Sequence, residues 1–276
     1  MGIQITNTNA NYSGLGLGFA SFIDEYFSKV GMTNEAHKTA FRNLYSSLVS
    51  AGLWSNGMQI YPYYGSTAAT HKVVFAETVY DLTEIGGTLV HDAGGVTGAT
   101  NGYYVTNFTP PTDMSLGLNG GTNALTAPNN TGKFWGISGE NTGGVADYCF
   151  AFGGTTFGAQ FCLFFRYGQL ANPQQTYTGH IMTTGFYQFS GIGAAQNVLL
   201  GAATIRTVSL PTTPIGGGAR KLHLMTGMVD SSGAPGSTNY TNIKTNFQYI
   251  SPKGYTVAQM LSFNTIVATF LTGIGR

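Results

Sequence analysis

Phe157, Ala159, Phe161, Leu163 and Phe165 fall at every second position of one segment, so a single side of it is apolar. Period two belongs to a β-strand with one buried face, because successive side chains of a strand point to opposite faces. The same grammar runs from Met58 to Ile250. Short stretches rich in aromatic and β-branched residues are cut by clusters of Gly, Asn, Pro and Ser. The clearest are Met58 to Tyr64, Gly87 to His91, Tyr103 to Phe108, Ser115 to Leu118, Val145 to Phe152, Phe157 to Arg166, Thr178 to Phe189, Ala203 to Leu210, Leu222 to Val229 and Lys244 to Ile250. This succession predicts an all-β fold, an antiparallel two-sheet sandwich. Gly86-Gly87, Gly120-Gly121, Gly143-Gly144 and Gly216-Gly217-Gly218 stand between runs, where turns favour glycine. A chain of 276 residues suffices for one large sandwich with a short appendage.

Both ends read as helical. Phe19, Phe22, Ile23, Tyr26 and Phe27 recur at helical spacing, a stripe able to dock on the sandwich or on another subunit. Residues 1–33 are therefore expected to be an attachment arm, with this stripe as its contact. A second helix begins with Thr33 or Asn34 as cap, puts Phe41, Leu44, Tyr45 and Leu48 on one face, and stops at Gly52. A last helix starts at Thr256, with Gln259 completing a capping box, and ends at Gly273. Its apolar stripe of Phe263, Ile266, Val267 and Phe270 predicts packing on the sheet.

Only 8% of the residues are charged, against roughly 25% in typical soluble domains. A subunit of a large assembly can cover its surface with neighbours and use Thr, Asn, Ser and Gly in place of charge. Disorder does not explain the 40 glycines, because 42% hydrophobic residues bury enough surface to offset the entropy of ordering. With 12 basic and 11 acidic residues spread singly, no stripe exists to neutralise phosphates, which argues against a nucleic-acid partner. The amino terminus has no charged region followed by an apolar core, so no signal peptide is expected and release would come by lysis of the producing cell. No apolar stretch reaches about 20 residues, and membrane insertion is not expected. Cys149 and Cys162 lie on neighbouring runs and could face each other across a hairpin; a disulfide and two buried thiols in a reducing cytoplasm both fit.

The acids are Asp24, Glu25, Glu35, Glu77, Asp81, Glu84, Asp92, Asp113, Glu140, Asp147 and Asp230. No Glu-x-Asp-x-x-Glu strand pattern is present, and the one cluster, Glu77-Asp81-Glu84, is spaced for a helix face or loop. His37, His71, His91, His180 and His223 are isolated in sequence, so no metal is expected. Neither a nucleophile elbow nor a phosphate loop occurs, and no cofactor is expected. From these absences the chain is expected not to be an enzyme.

Three segments together resemble the concanavalin A-like jelly-roll domain of tailed-bacteriophage virion proteins, such as tail fibres, tail tips and head fibres. The first is the helix from Phe41 leading into Ala51-Gly52-Leu53-Trp54. The second runs from Asp92-Ala93-Gly94-Gly95-Val96-Thr97-Gly98 through Tyr103 to Thr106-Asn107-Phe108-Thr109-Pro110. The third is the ending, Phe247-Gln248-Tyr249-Ile250, then Tyr255 to Gln259 and Phe270 to Gly275. The resemblance covers Asn34 to Arg276 in order, leaving Pro128 to Ile215 unaligned. It implies a jelly roll on a virion surface that recognises bacterial surface glycans, with other capsid or tail proteins as partners and a homo-oligomer, a trimer by preference. It also implies Trp54 in the core. A head or tail decoration protein without ligand is the alternative.

Sugar recognition needs an aromatic platform for the apolar ring face and amide or hydroxyl groups for the hydroxyls. Trp135 and Tyr177 lie near loop-like sequence, as do Tyr63 and Tyr64 ahead of Gly65. These four are the candidate glycan-binding residues, expected as exposed aromatics. The competing reading for each is sandwich core or a subunit contact.

Overall fold

The computed structural model describes residues 18–77, 81–86, 89–98, 102–108, 111, 113–120 and 244–276, and between 120 and 244 the strands named below together with Met225. From 134 to 180 and from 204 to 209 the strand paths are what is described. The first seventeen residues of the expected arm, and the expected turns at Gly121, Gly143-Gly144 and Gly216 to Gly218, lie outside the described residues.

The chain opens with α1 (Gly18–Lys29), α2 (Glu35–Ser50), β1 (Gln59–Tyr61) and the single turn α3 (Ala68–His71). Four short strands follow: β2 (Thr83–Ile85), β3 (Val90–Asp92), β4 (Gly95–Thr97) and β5 (Tyr103–Val105). Next come β6 (Met114–Gly120), β7 (Phe134–Gly139), β8 (Asn141–Thr142), β9 (Val145–Ala146), β10 (Tyr148–Gly154), β11 (Phe161–Tyr167) and β12 (Gln175–His180). The last strands are β13 (Gly185–Ile192), β14 (Ala195–Leu200), β15 (Thr204–Ser209), β16 (Leu222–Leu224) and β17 (Lys244–Ser251), before α4 (Val257–Gly273).

The protein is mostly β, with two antiparallel sheets and a closing helix. One sheet is ordered β15-β14-β13-β6-β17-β4-β3, with β1 also on β17; the other is ordered β12-β11-β10-β7-β16-β5-β2. Period two is visible in the register of the first sheet. Phe186, Gln188 and Ser190 stand opposite Asn119, Gly117 and Ser115, and Phe247, Tyr249 and Ser251 oppose the same three from the other side. On this face Phe186, Phe247 and Tyr249 join Phe22, Ile23, Tyr26, Phe27, Phe41, Leu44, Leu48, Met260, Phe263, Val267 and Phe270 in one core. The opposite face carries Met114, Leu116, Leu118, Tyr187, Phe189 and Ile250, all buried too. Both faces of this sheet are thus covered by the chain itself, which is how a layered domain hides a wide sheet. Gly117 is demanded by the close approach of its neighbours. A Cβ there would lie 2.5 Å from Tyr249 Cε1 and 2.8 Å from the Tyr187 carbonyl oxygen.

Several polar groups inside this core are paired, while the buried Tyr26 hydroxyl has no hydrogen-bond partner among the described residues. Gln188 Nε2 donates to the Met260 carbonyl at 2.8 Å and its Oε1 accepts from Tyr249 at 3.0 Å. Ser190 Oγ donates to the Tyr255 carbonyl at 2.7 Å and accepts from Tyr255 N at 2.5 Å. Tyr255 in turn donates its hydroxyl to the Leu53 carbonyl at 2.5 Å, so the exit of α2, the sheet and the start of α4 are tied through one side chain. Buried polar atoms cost little only when so satisfied.

The caps of α2 and α4 are as the sequence predicts. Asn34 Oδ1 accepts from Ala36 N and His37 N, and Thr256 with Gln259 forms the reciprocal box. Trp54 is half-buried against the core, and its indole donates to Glu77 Oε1 at 2.7 Å. Three expectations are corrected. The aromatic stripe of α1 is not presented to another subunit: Phe22, Ile23, Tyr26 and Phe27 are buried in this chain's own core. Phe19 lies in the same helix. The physical reason is that α2 and the sheet offer a complementary aromatic face, with Tyr26 5.1 Å from Phe41 and 5.2 Å from Phe75. The strands β7 and β14 form where no strand is predicted. Finally, Cys149 pairs with Arg166 and Cys162 with Gly153, four rows apart on β10 and β11. At roughly 3.4 Å per residue that offset is about 14 Å, beyond the reach of a disulfide between the two.

A Phe22→Ala variant is expected to lose about 3 kcal/mol, the usual cost of truncating a buried phenylalanine. The urea midpoint checks this: an unchanged midpoint would mean that α1 lies outside the cooperative core.

Candidate functional site

Past β1, Tyr63 takes φ 47, a left-handed conformation that non-glycine residues rarely hold outside constrained sites. Its side chain is 1% exposed, so it is not the exposed platform that the sequence suggested. The ring stacks on Tyr104 of β5 at 6.1 Å and meets His71 edge-on at 6.0 Å, while the hydroxyl donates to Gln248 Oε1 of β17. Burial raises the Tyr63 and Tyr104 phenols well above their ordinary range, so both stay neutral.

Arg276 holds this turn in place. Its Nη1 donates to the carbonyls of Pro62 at 2.9 Å and Asn246 at 3.3 Å. Its Nη2 donates to those of Tyr63 at 2.8 Å and Ala93 at 2.7 Å. A planar fork of donors is the group best suited to gather carbonyls from three chain segments. Beside it, Lys244 of β17 pairs with Asp92 Oδ2 of β3 at 2.5 Å, which holds the Asp92 carboxyl below the usual range.

Two histidines distant in sequence meet here. Thr67 and Thr70 form a capping box on α3, which delivers His71 into the interior. His71 Nδ1 lies 3.0 Å from His91 Nδ1 of β3, and His71 Nε2 lies 3.1 Å from the Gly65 carbonyl oxygen. His91 Nε2 stands 3.7 Å from Glu84 Oε2 of β2, and Glu84 Oε1 accepts from Leu89 N at 3.4 Å. His91 Nε2, Tyr104 Oη and Gln248 Nε2 are buried without a hydrogen-bond partner among the described residues. Burial pulls the His71 imidazole down to about 4, against the Gly65 carbonyl, which favours the charged form. Burial also lowers His91, with Glu84 opposing and Lys72 adding to the shift. Among the described residues no three His, Cys, Asp or Glu side chains converge as a metal site would require.

The Glu77-Asp81-Glu84 cluster of the sequence is divided by the fold: Glu77 serves Trp54, and Glu84 faces His91. Of the four aromatic candidates, Tyr64 is half-buried, with its hydroxyl 2.7 Å from His37 Nδ1. Trp135 and Tyr177 lie in strands β7 and β12 of the second sheet, not in loops. Trp135 pairs with Phe152, Phe152 with Leu163, and Leu163 with Tyr177, so the two share one register row across four strands.

No family model and no curated protein sequence matches the chain. Its fold does match solved structures. A mutant of Trypanosoma rangeli sialidase displaying trans-sialidase activity aligns at TM-score 0.52 and 10% identity, over 87% of this chain and 39% of that one. Trypanosoma rangeli sialidase in complex with sialic acid aligns at TM-score 0.49 and 8% identity, over 84% and 39%. The VIP36 exoplasmic/lumenal domain bound to Ca2+ and Man3GlcNAc aligns at TM-score 0.35 and 10% identity, over 74% and 92%. The chain thus spans about two fifths of the length of the sialidases it matches. The expectation that it is not an enzyme is overturned here, because its fold is one that solved sialidase chains contain. Motif absence in the sequence was a poor guide, since a carboxylate pair can be assembled from distant strands.

Two outcomes follow from the site. The unfolded chain binds more protons than the folded one below the ordinary histidine value of 6.5, so stability is whole above pH 6.5 and declines as pH falls towards 4. Denaturation midpoints across that window check it, and His71→Gln is expected to flatten the slope. Arg276→Lys keeps the charge but loses the fork, and is expected to cost about 2 to 3 kcal/mol by urea denaturation.

Proposed function

We propose that this protein is a carbohydrate-recognising virion surface protein of a tailed bacteriophage, of fibre or adhesin type, built on a concanavalin A-like jelly roll. The observation that carries the carbohydrate part is the fold shared, over most of this chain, with a sialidase displaying trans-sialidase activity. The virion part rests on the three ordered segments that resemble phage virion domains and on the 8% charge, which suits a subunit among neighbours. In this reading the chain is made in the host cytoplasm, assembles as a homo-oligomer with capsid or tail proteins, and gains avidity from repeated weak sites. Contact with those neighbours falls to surfaces other than the buried α1 stripe.

A sugar platform needs an aromatic face open to solvent, which removes Tyr63 and leaves Trp135, Tyr177 and Tyr64 as the residues to test. The purified protein is to be applied to an array of bacterial surface glycans and sialylated oligosaccharides, with released sugar measured in the same wells. Saturable retention on a glycan class, weakened tenfold or more by Trp135→Ala or Tyr177→Ala, is the expected result. Release of sugar would extend recognition to turnover. Failure to bind or cleave any glycan would sink the reading and leave a ligand-free decoration protein.

A further inference from the structure

Glu84 and His91 occupy the terminal strands of different sheets, β2 at the end of one order and β3 at the end of the other. Their side chains meet at the edge where the chain passes from one sheet to the other. The hydrogen-bond chemistry of the group fixes where its protons sit. A carbonyl oxygen only accepts, so the 3.1 Å contact with Gly65 puts a proton on His71 Nε2. In a neutral ring the other nitrogen is then an acceptor. The 3.0 Å contact between the two Nδ1 atoms therefore requires the proton on His91 Nδ1. That leaves His91 Nε2 bare, buried, unpartnered and 3.7 Å from a carboxylate oxygen that also only accepts. The chain of bonds is one proton short at its last link.

We infer that Gly65, His71, His91 and Glu84 form a proton relay of single capacity that joins the outer strands of the two sheets, gaining a bond between them when it takes up one proton and parting when it takes up a second. The first proton is taken up at His91 Nε2. It converts two facing acceptors into a charge-assisted N–H···O bond between β3 and β2, with every other bond of the chain retained. Of the ring nitrogens only His71 Nδ1 is then free for a second proton, which there would meet the N–H of His91 head-on and separate the rings. The two protons thus belong to the coupled pair and not to either ring.

The charged groups around the pair set the order. Glu84 from β2 favours the first proton and Lys72, just beyond α3, opposes it. Arg276 opposes charge on His71 and Asp92 favours it, with Asp92 already committed to Lys244 of β17. Tyr63 from the turn and Tyr104 from β5 pack on the rings as neutral phenols and contribute no charge. Glu84 is therefore the group whose removal should be felt most at His91.

The test is a long-range proton–nitrogen correlation of the histidine rings in the full-length labelled protein, from pH 8 to pH 4, with His71→Gln and His91→Gln used for assignment. At pH 8 the expected pattern is His71 protonated on Nε2 and His91 on Nδ1, which needs no variant that might misfold. On acidification His91 should take the first proton. Glu84→Gln, which keeps the shape of the side chain, should move that titration down by about one unit, and Lys72→Gln on the surface should move it up. Amide signals of Thr83 to Ile85 and Val90 to Asp92 should hold through the first step and broaden in the second. His91 protonated on Nε2 at pH 8 would overturn the relay, as would a His91 titration indifferent to both variants or a loss of the strand amides in the first step.

Discussion

The packing of three helices on one face of the larger sheet is the interaction on which the other features depend, and Phe41 lies at its middle. Its ring is fully buried and contacts Tyr26 and Phe27 of α1, Tyr64 beyond β1, Phe75 and Phe270 of α4. Edge-to-face and tilted ring pairs of this kind add to the area term and fix mutual orientation. Because α4 is seated there, the chain beyond it brings Arg276 to the Tyr63 turn. Because that turn is held, His71 can meet His91. The polar cluster between the sheet edges is in this sense a consequence of the helix layer.

What the sequence discloses and what it hides divide along the range of the interactions. The caps at Asn34 and Thr256 are local, set within three residues, and are readable as written. Period two in β11 is equally local. The α1 stripe is readable as a helix, but its destination is not, because Phe22 finds Tyr45, Trp54 and Phe75, none of which its own spacing can point to. Strand register is a non-local quantity as well, since a shift by one residue exchanges the two faces. It separates Cys149 from Cys162 although their runs are adjacent, and it lines up Trp135 with Tyr177 although they lie far apart in sequence.

The histidine pair shows the same limit in the site. His71 and His91 are separated by twenty positions, and neither His-x-His nor a carboxylate spacing announces them. The signals that do exist are indirect: Thr67 and Thr70 as a local box before His71, and Asp92 beside His91 as the partner of a distant lysine. Only the pairing of β3 with β4, and of β4 with β17, converts those local cues into a cluster. At Gly95 that pairing demands glycine. With φ +132, a Cβ there would come within 2.3 Å of the Thr245 carbonyl oxygen.

The scarcity of charge takes on a second meaning in this light. Several of the few charged side chains form ties between segments remote in sequence: Lys244 to Asp92, Arg276 to four carbonyls, Glu77 to Trp54, Glu84 towards His91, and Arg42 to Asp24 between α2 and α1. Partly buried ion pairs and charged hydrogen bonds are worth little as isolated stability, but they penalise every alternative register that would strand one partner. Added to the buried aromatic and aliphatic faces that already fix the register of the larger sheet, such penalties disfavour slipped arrangements further. Sparse charge and its placement at the joints are then one strategy: the few ions that the chain carries stand where the chain must not be ambiguous.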